Sequence, residues 1–475
     1  MRAPHRRAAG WPAAFVLGLV GLAIVGLAPG CDLENPGRPL PPGLLNFPIA
    51  TALAGTPDGS GALPFLIVAN SNFDLRYASG SLQAYAIDAI DAMIADPSRC
   101  VVPPGAPHAT YCAVLDADLA TAVQGREVAI GSAMDGLTLS SRGDRIYLPA
   151  RSGVGGLTWI DFDPASGGLA CGQDQSAVPR CDPAHGQTDT TIASSLGLTL
   201  PSDPVAVEVV SSQTLGLTDA AAAFDFHVMG HRNGNASLFV DDHTPGSRSQ
   251  PRYVHTLGSL PNDMVSVRAD LRGHVWLTSG AVVAARQTRD LVSLGIVPGE
   301  VAGAPSARLA IFSRHAVLGV DDGLDSRDMV FDRSQPADAP PRLWLLTRRP
   351  EAILTVDFAL PAFTTTEAPL GPAFPVGFGP SRLSRYEATG STLLLASCFD
   401  ARALFVVDPD IGTVATIPGM VGPFEMAVDE ARQRVYVVDF RFSVLWVIDL
   451  APLLTGGSPG IVARLGTGHA PSVFR

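Results

Sequence analysis

The chain is short of charge. Charged residues are 16% of its 475 positions against 47% hydrophobic ones, a composition that supports a sizeable core and argues against disorder. No basic tract interrupts it, and 45 acids against 33 bases leave a net charge of −12. Nucleic acid is therefore not an expected partner. The sequence has no Cys-x-x-Cys pair, no Cys-x-x-Cys-His and no phosphate-binding Gly-Lys loop, so zinc knuckles, attached haem and P-loop chemistry have no motif to stand on. It lacks a long amphipathic helix after residue 130, while Ala86 to Ala95 suits a short one. Turn formers are abundant instead: 48 Gly and 40 Pro, between runs rich in Val, Ile, Thr and Leu, fit many turns joining short strands.

The N-terminus is a separate object. Arg2, Arg6 and Arg7 precede the apolar run Ala13 to Ala28, whose 16 residues fall short of the about 20 that span a membrane. Length and flanking charge are those of a signal-peptide core. The run ends in "LAPGC", with Leu27, then Ala28, Pro29 and Gly30, then Cys31. This resembles the lipobox of bacterial lipoproteins, and the resemblance implies cleavage before Cys31 and lipidation of that residue. Residues 1–30 are then a lipoprotein signal peptide, and residues 31–44, with "DLENPGRPLPPG", an extended Pro-rich tether. Losing three arginines and no acid takes the net charge from −12 to −15. Attachment is expected to rest on acyl chains, each buried CH₂ contributing ~0.8 kcal/mol, with an acidic body held off the membrane.

Cysteine usage agrees with export. Beyond Cys31, Cys100 and Cys112 flank a Pro-rich loop, and Cys171 and Cys181 flank a polar one. In an oxidising envelope these read as two local disulfides, while Cys398 lies in a strand pattern as a buried free thiol.

A length of 475 residues ordinarily suggests about three domains, but repeats take precedence. Leu343 to Asp357, Leu394 to Asp408 and Val435 to Asp449 align without a gap on their closing Asp. Each holds an apolar run, a polar turn and a second apolar run, the pattern of a β-hairpin. Looser copies are Arg145 to Asp161, Phe226 to Asp241, Phe65 to Asp88 and, weakest, His274 to Arg286. Asp-Pro-x-x-Gly recurs at Asp163 and Asp408 as a turn into a fourth strand. Short runs opened by Pro or a turn residue precede the hairpins as innermost strands: "FPIATAL", "DGLTLS", "DPVAVEVV", "NDMVSVRAD", "GPSRLSR" and "GPFEMAVD". Seven four-stranded meanders packed around an axis bury both faces of every sheet. The expected fold is all-β, a seven-bladed β-propeller over residues 45–475, closed by pairing of N- and C-terminal segments, including the tail "HAPSVFR". Met426 to Leu450 resembles the YVTN-type, lactonase-like propeller repeats of bacteria. No recurring Gly-His and Trp-Asp pairing supports a WD40 repeat.

Loops leading into the innermost strands place Asp135, Asp203, Asn262, Asp263 and Glu425 near one end of the axis. Carboxylate and amide oxygens suit Ca²⁺, and the arrangement is similar to the metal ring of calcium-dependent lactonases; the plainer reading is solvated turn residues. The repeating Asp at strand ends is read as turn chemistry. His227 and His231 are ~13 Å apart along a strand and cannot share one metal, although His243, His255 and His274 leave a composite site conceivable.

Two function classes follow. One is a membrane-anchored envelope lipoprotein, at the outer membrane or on the periplasmic face of a membrane, whose propeller binds a protein or glycan. The other is a lactonase-like or other hydrolase with an axial metal site. The first is preferred because no constellation with a defined mechanism emerges, and fold alone does not choose.

Overall fold

The structure is a computed structural model that describes residues 38–101, 111–151, 156–172, 174, 176, 178–187, 199–217, 224–243, 250–279, 290–301, 304–317, 325–336, 338–358, 368–388 and 390–468. Cys31 and the tail "HAPSVFR" lie outside them.

Seven sheets surround an axis, each built on four antiparallel strands that follow in chain order from the axis outward. Blade 1 consists of Pro48–Ala54, Phe65–Asn70, Gly80–Ala86 and Glu127–Ile130. Blade 2 consists of Thr138–Leu139, Arg145–Ala150, Gly156–Phe162 and Leu169–Ala170, with Gly186–Gln187 also paired to its third strand. Blade 3 is Pro204–Ser211, Phe224–His231, Asn235–Asp242 and Arg252–Leu257; blade 4 is Met264–Ala269, Val275–Ser279, Asp290–Val301 and Ala304–Ala316. Blade 5 is Ser326–Phe331, Arg342–Arg348, Glu351–Asp357 and Leu370–Pro375; blade 6 is Pro380–Ala388, Ser391–Cys398, Ala403–Asp408 and Gly412–Pro418. Blade 7 is Pro423–Asp429, Arg434–Asp439, Val444–Asp449 and Gly460–Leu465.

The second and third strands read as continuous apolar runs because both faces of each sheet are covered. Among the described residues the buried apolar side chains fall into seven clusters, one for each junction between neighbouring blades. The junction of blade 7 with blade 1 joins Tyr436, Leu445 and Val447 to Leu66, Val68 and Tyr85. A ring with seven buried junctions has no exposed sheet face to cover.

Turn chemistry fixes the corners. The Asp-Pro-x-x-Gly turn at Asp163 closes through Gly167 N to Asp163 O at 2.8 Å, with Gly167 at φ 74°, a value that favours glycine. The closing Asp residues are structural as read: Asp408 and Asp449 accept the N–H of Asp410 (2.8 Å) and Ala451 (3.0 Å), and Asp357 pairs with Arg342 at 2.6 Å. Asp439 goes further. Its fully buried carboxylate accepts the N–H groups of Val421, Gly422 and Phe442 and the Trp446 indole N–H, all within 2.7–3.0 Å.

Three expectations change. The ring is not sealed by N- and C-terminal segments among the described residues. Instead an insertion between the third and fourth strands of blade 1 carries the strand Tyr111–Val114, which pairs in parallel with the outermost strand of blade 7. The same insertion holds the helices α1 (Ile87–Ile94), close to the expected short helix, and α2 (Asp116–Ala122). The weakest hairpin copy, His274 to Arg286, also fails, since the third strand of blade 4 begins only at Asp290. Finally, the innermost strand of blade 5, Ser326–Phe331, has no counterpart among the expected innermost strands.

Cys171 and Cys181 form a disulfide, and Cys398 is buried and free. Cys100 stands opposite Cys112 in a short antiparallel pair; the Cys100 side chain lies outside the described set.

Candidate functional site in the axial channel

The innermost strands share one irregularity. In six blades the ladder to the second strand skips just after its first pair, between Pro48 and Ala50, Pro204 and Ala206, Met264 and Ser266, Ser326 and Asp328, Pro380 and Arg382, and Pro423 and Met426. Bulges of this kind bend a strand and re-aim its side chains. Four of these strands are preceded by a residue in the left-handed region: Phe47, Asp203, Asp263 and Gly379, with φ between 52° and 64°. Asp tolerates that conformation better than most residues. Asp203 and Asp263 are therefore turn residues by geometry.

The channel encloses a cavity of about 420 Å³, and its wall is charged with both signs. Asp328 is its best-held group. Its fully buried carboxylate accepts from Ser266 Oγ (2.7 Å), Arg268 Nη2 (3.1 and 3.2 Å) and the Leu383 N–H (3.1 Å), tying blades 4, 5 and 6 together. Arg382 Nε donates to Glu425 Oε2 at 3.0 Å, Arg382 Nη2 donates to the Asp135 carbonyl at 3.3 Å, and the guanidinium lies 4.6 Å from the Phe424 ring centroid. Arg151 bridges two acids, with Nε to Asp203 at 2.6 Å and Nη1 to Asp135 at 3.3 Å. Arg232 approaches Asp135 to 3.8 Å.

Burial and pairing compete in the titration of these groups. Burial raises the Glu425 carboxyl above its ordinary range against the opposing pull of Arg382. Burial likewise raises Asp135 despite Arg151, Arg232 and Arg382. Glu208, on the innermost strand of blade 3 and partly open to the channel, is pushed up to about 7 by burial, with Arg268 opposing. Burial alone lowers Arg268, but Asp328 and Glu208 outweigh it and hold the guanidinium charged.

The expected acidic mouth is thus partly assembled. Asp135, Asp203 and Glu425 are linked through Arg151 and Arg382. Asp263 joins through the backbone, donating its N–H to the Arg232 carbonyl at 2.7 Å, and Asn262 packs beside Gly234 in the same corner. What sequence reading missed is the set of arginines between the acids. Arg382 and Arg268 were visible in "GPSRLSR" and "NDMVSVRAD", and Asp328 belonged to the innermost strand not recognised. No group of three or more His, Cys, Asp or Glu side chains among the described residues has the geometry of a metal site. The histidines are scattered: His231 contacts Ser237 Oγ at 2.8 Å, His243 contacts Asp225 at 2.9 Å, His255 accepts the Leu309 N–H, and His274 stacks on Phe312. His227 packs on Tyr147 at 3.9 Å, and burial lowers its pKa to about 4.

No protein-family model matches this sequence, and no curated protein is similar to it. Solved structures do resemble the fold. Hydrazine synthase of Kuenenia stuttgartiensis is 11% identical with a TM-score of 0.50, the match covering 86% of this chain and 96% of that one. The β-propeller domain of Cps50 (Swd1) from Myceliophteria thermophila is 12% identical with a TM-score of 0.44, covering 82% and 94%. A functionally unknown protein from Desulfotomaculum acetoxidans is 10% identical with a TM-score of 0.40, covering 70% and 80%. At these identities the likeness is one of fold, the seven-bladed β-propeller, and function must be argued from the site.

Proposed function

We propose that this chain is a lipid-anchored envelope protein, related in type to the YVTN-like propellers, whose ring is a binding module for a protein or glycan. The observation that carries the binding half is the pairing of channel carboxylates with arginines. Asp328, Glu425, Asp203 and Asp135 each face a guanidinium within 3.3 Å. A calcium-dependent hydrolase needs those oxygens free to face a cation. Paired with arginine, they form instead a rigid polar wall of alternating sign, suited to recognising a polar partner. The anchoring half rests on the apolar run and "LAPGC", with Cys31 the lipidated residue, and on the Cys171–Cys181 disulfide, which fits an oxidising compartment. We assign Cys100 and Cys112 to a second disulfide on their register.

Radiolabelled palmitate tests the anchor. The wild type incorporates label and fractionates with membranes, and Cys31→Ser does neither. Label persisting in Cys31→Ser, or a mature protein that keeps residues 1–30, contradicts the proposal.

A further inference from the structure

The antiparallel order of each blade puts two sets of loops at the same end of the ring: those from second to third strands and those leading into innermost strands. The chain preceding the propeller arrives at this end too. Arg38 forms a parallel bridge with Tyr77, and the Ala78 N–H donates to the Arg38 carbonyl at 3.1 Å. Seven residue steps separate Cys31 from Arg38. They span at most about 25 Å even fully extended.

The same end exposes apolar side chains. Phe73 is 53% exposed, Leu75 59% and Phe378 70%. Leu75 is also held in the left-handed region at φ 53°, unfavourable for a branched side chain. Phe73 belongs to an aromatic patch on these loops, and the Phe378 backbone joins the loop that carries Phe399. Phe73 meets Phe440 at 5.5 Å, Phe440 meets Phe399 at 6.5 Å, and Phe378 accepts the Ala401 N–H beside Phe399 through its carbonyl. Around the patch stand exposed Arg38, Arg76, Arg349 and Arg402, against Asp74 and Asp400 on the same loops. The Asp74 carboxylate is engaged by the Arg76 backbone N–H. Every basic residue of the chain outside histidine is arginine, since the sequence contains no lysine. Its planar fork matches phosphate oxygens in pairs.

We propose that this end of the propeller, over blades 5 to 7 and blade 1, docks on the phospholipid surface to which Cys31 anchors the chain. Phe73, Leu75 and Phe378 enter the headgroup boundary, and the arginines meet lipid phosphates. The inference rests on the lipid-anchor reading, because the short tether is what selects a bilayer as the occupant. It reverses the expectation of a body held off by its net charge: the charge that matters is that of the facing loops, within a Debye length of the surface. Docking also leaves the opposite mouth of the channel facing away from the membrane.

Full-length lipidated protein carrying Leu75→Cys or, on the opposite end, Ile411→Cys (77% exposed) is labelled with bimane and mixed with phosphatidylethanolamine and phosphatidylglycerol vesicles containing nitroxide lipid. Docking predicts loss of fluorescence at position 75 and none at 411. Arg76→Glu with Arg402→Glu restores the signal at 75 while the protein still sediments. Sedimentation with both labels equally unquenched, or loss at 75 only when envelope proteins are added, overturns docking while leaving the anchor intact. Protein that stays in the supernatant overturns the anchor, and docking with it. Quenching that survives the charge reversal overturns the phosphate contacts.

Discussion

Arg382 and Glu425 meet 3.0 Å apart across the axis-facing edges of blades 6 and 7, each with under a sixth of its side chain exposed. The pair stands where sequence reading placed a bare carboxylate. Removing one partner strands the other in a poorly hydrated site. Glu425→Gln and Arg382→Gln are each expected to cost about 1–3 kcal/mol, and the double substitution less than their sum. Urea unfolding of the four proteins checks this, and additive losses contradict the pairing.

Glu208 gives the channel a pH dependence of known sign. Its folded pKa, about 7, exceeds the unfolded glutamate value of about 4.3, so the native state binds the proton more tightly. That contribution is complete below the unfolded value and is lost as pH rises through about 7. Glu208→Gln should flatten the decline between those limits and be relatively more stable at alkaline pH. Melting curves across that range decide it.

Asp439 is the buried hub of the blade 7 corner, accepting four hydrogen bonds. Asp439→Asn keeps the shape but replaces one acceptor oxygen with an N–H₂ donor. Two donors then face a donor, so a loss of about 2–4 kcal/mol is expected. Chemical denaturation reads it directly, and a loss within experimental error contradicts the assignment.

The cysteines separate by reactivity. Burial pushes the Cys398 thiol up to about 12, so iodoacetamide should label it only after unfolding. Replacing Cys171 and Cys181 with Ser should cost about 2–3 kcal/mol through the released ten-residue loop. Rapid native labelling of Cys398 contradicts its burial.

The fold was legible because its strongest signal is local. The hairpins ending at Asp357, Asp408 and Asp449 carry their turn, their apolar runs and their closing Asp within about fifteen residues, and all three stand as second and third strands. Blade 4 was not legible beyond its second strand, because ten residues of sequence separate Ser279 from Asp290, where its third strand begins. The seam was not legible either: Tyr111–Val114 pairs with residues some 350 positions away, and no local pattern announces such a partner. For the site, the loops before innermost strands revealed Asp135, Asp203 and Asp263, since turn chemistry selects them. The arginines that pair with Asp135 and Asp203 stand just after second strands, Arg151 in blade 2 and Arg232 in blade 3. Only the curvature of the ring brings those together.

Calcium-dependent melting tests the central claim most directly, that the axial carboxylates are occupied by arginines. A cation site filled to a hundred times its dissociation constant adds about 2.7 kcal/mol to stability. The account predicts that millimolar calcium and EDTA leave the melting temperature of the wild type the same, and that Glu425→Gln lowers it equally in both. A large calcium-dependent rise that disappears in Glu425→Gln would contradict the account.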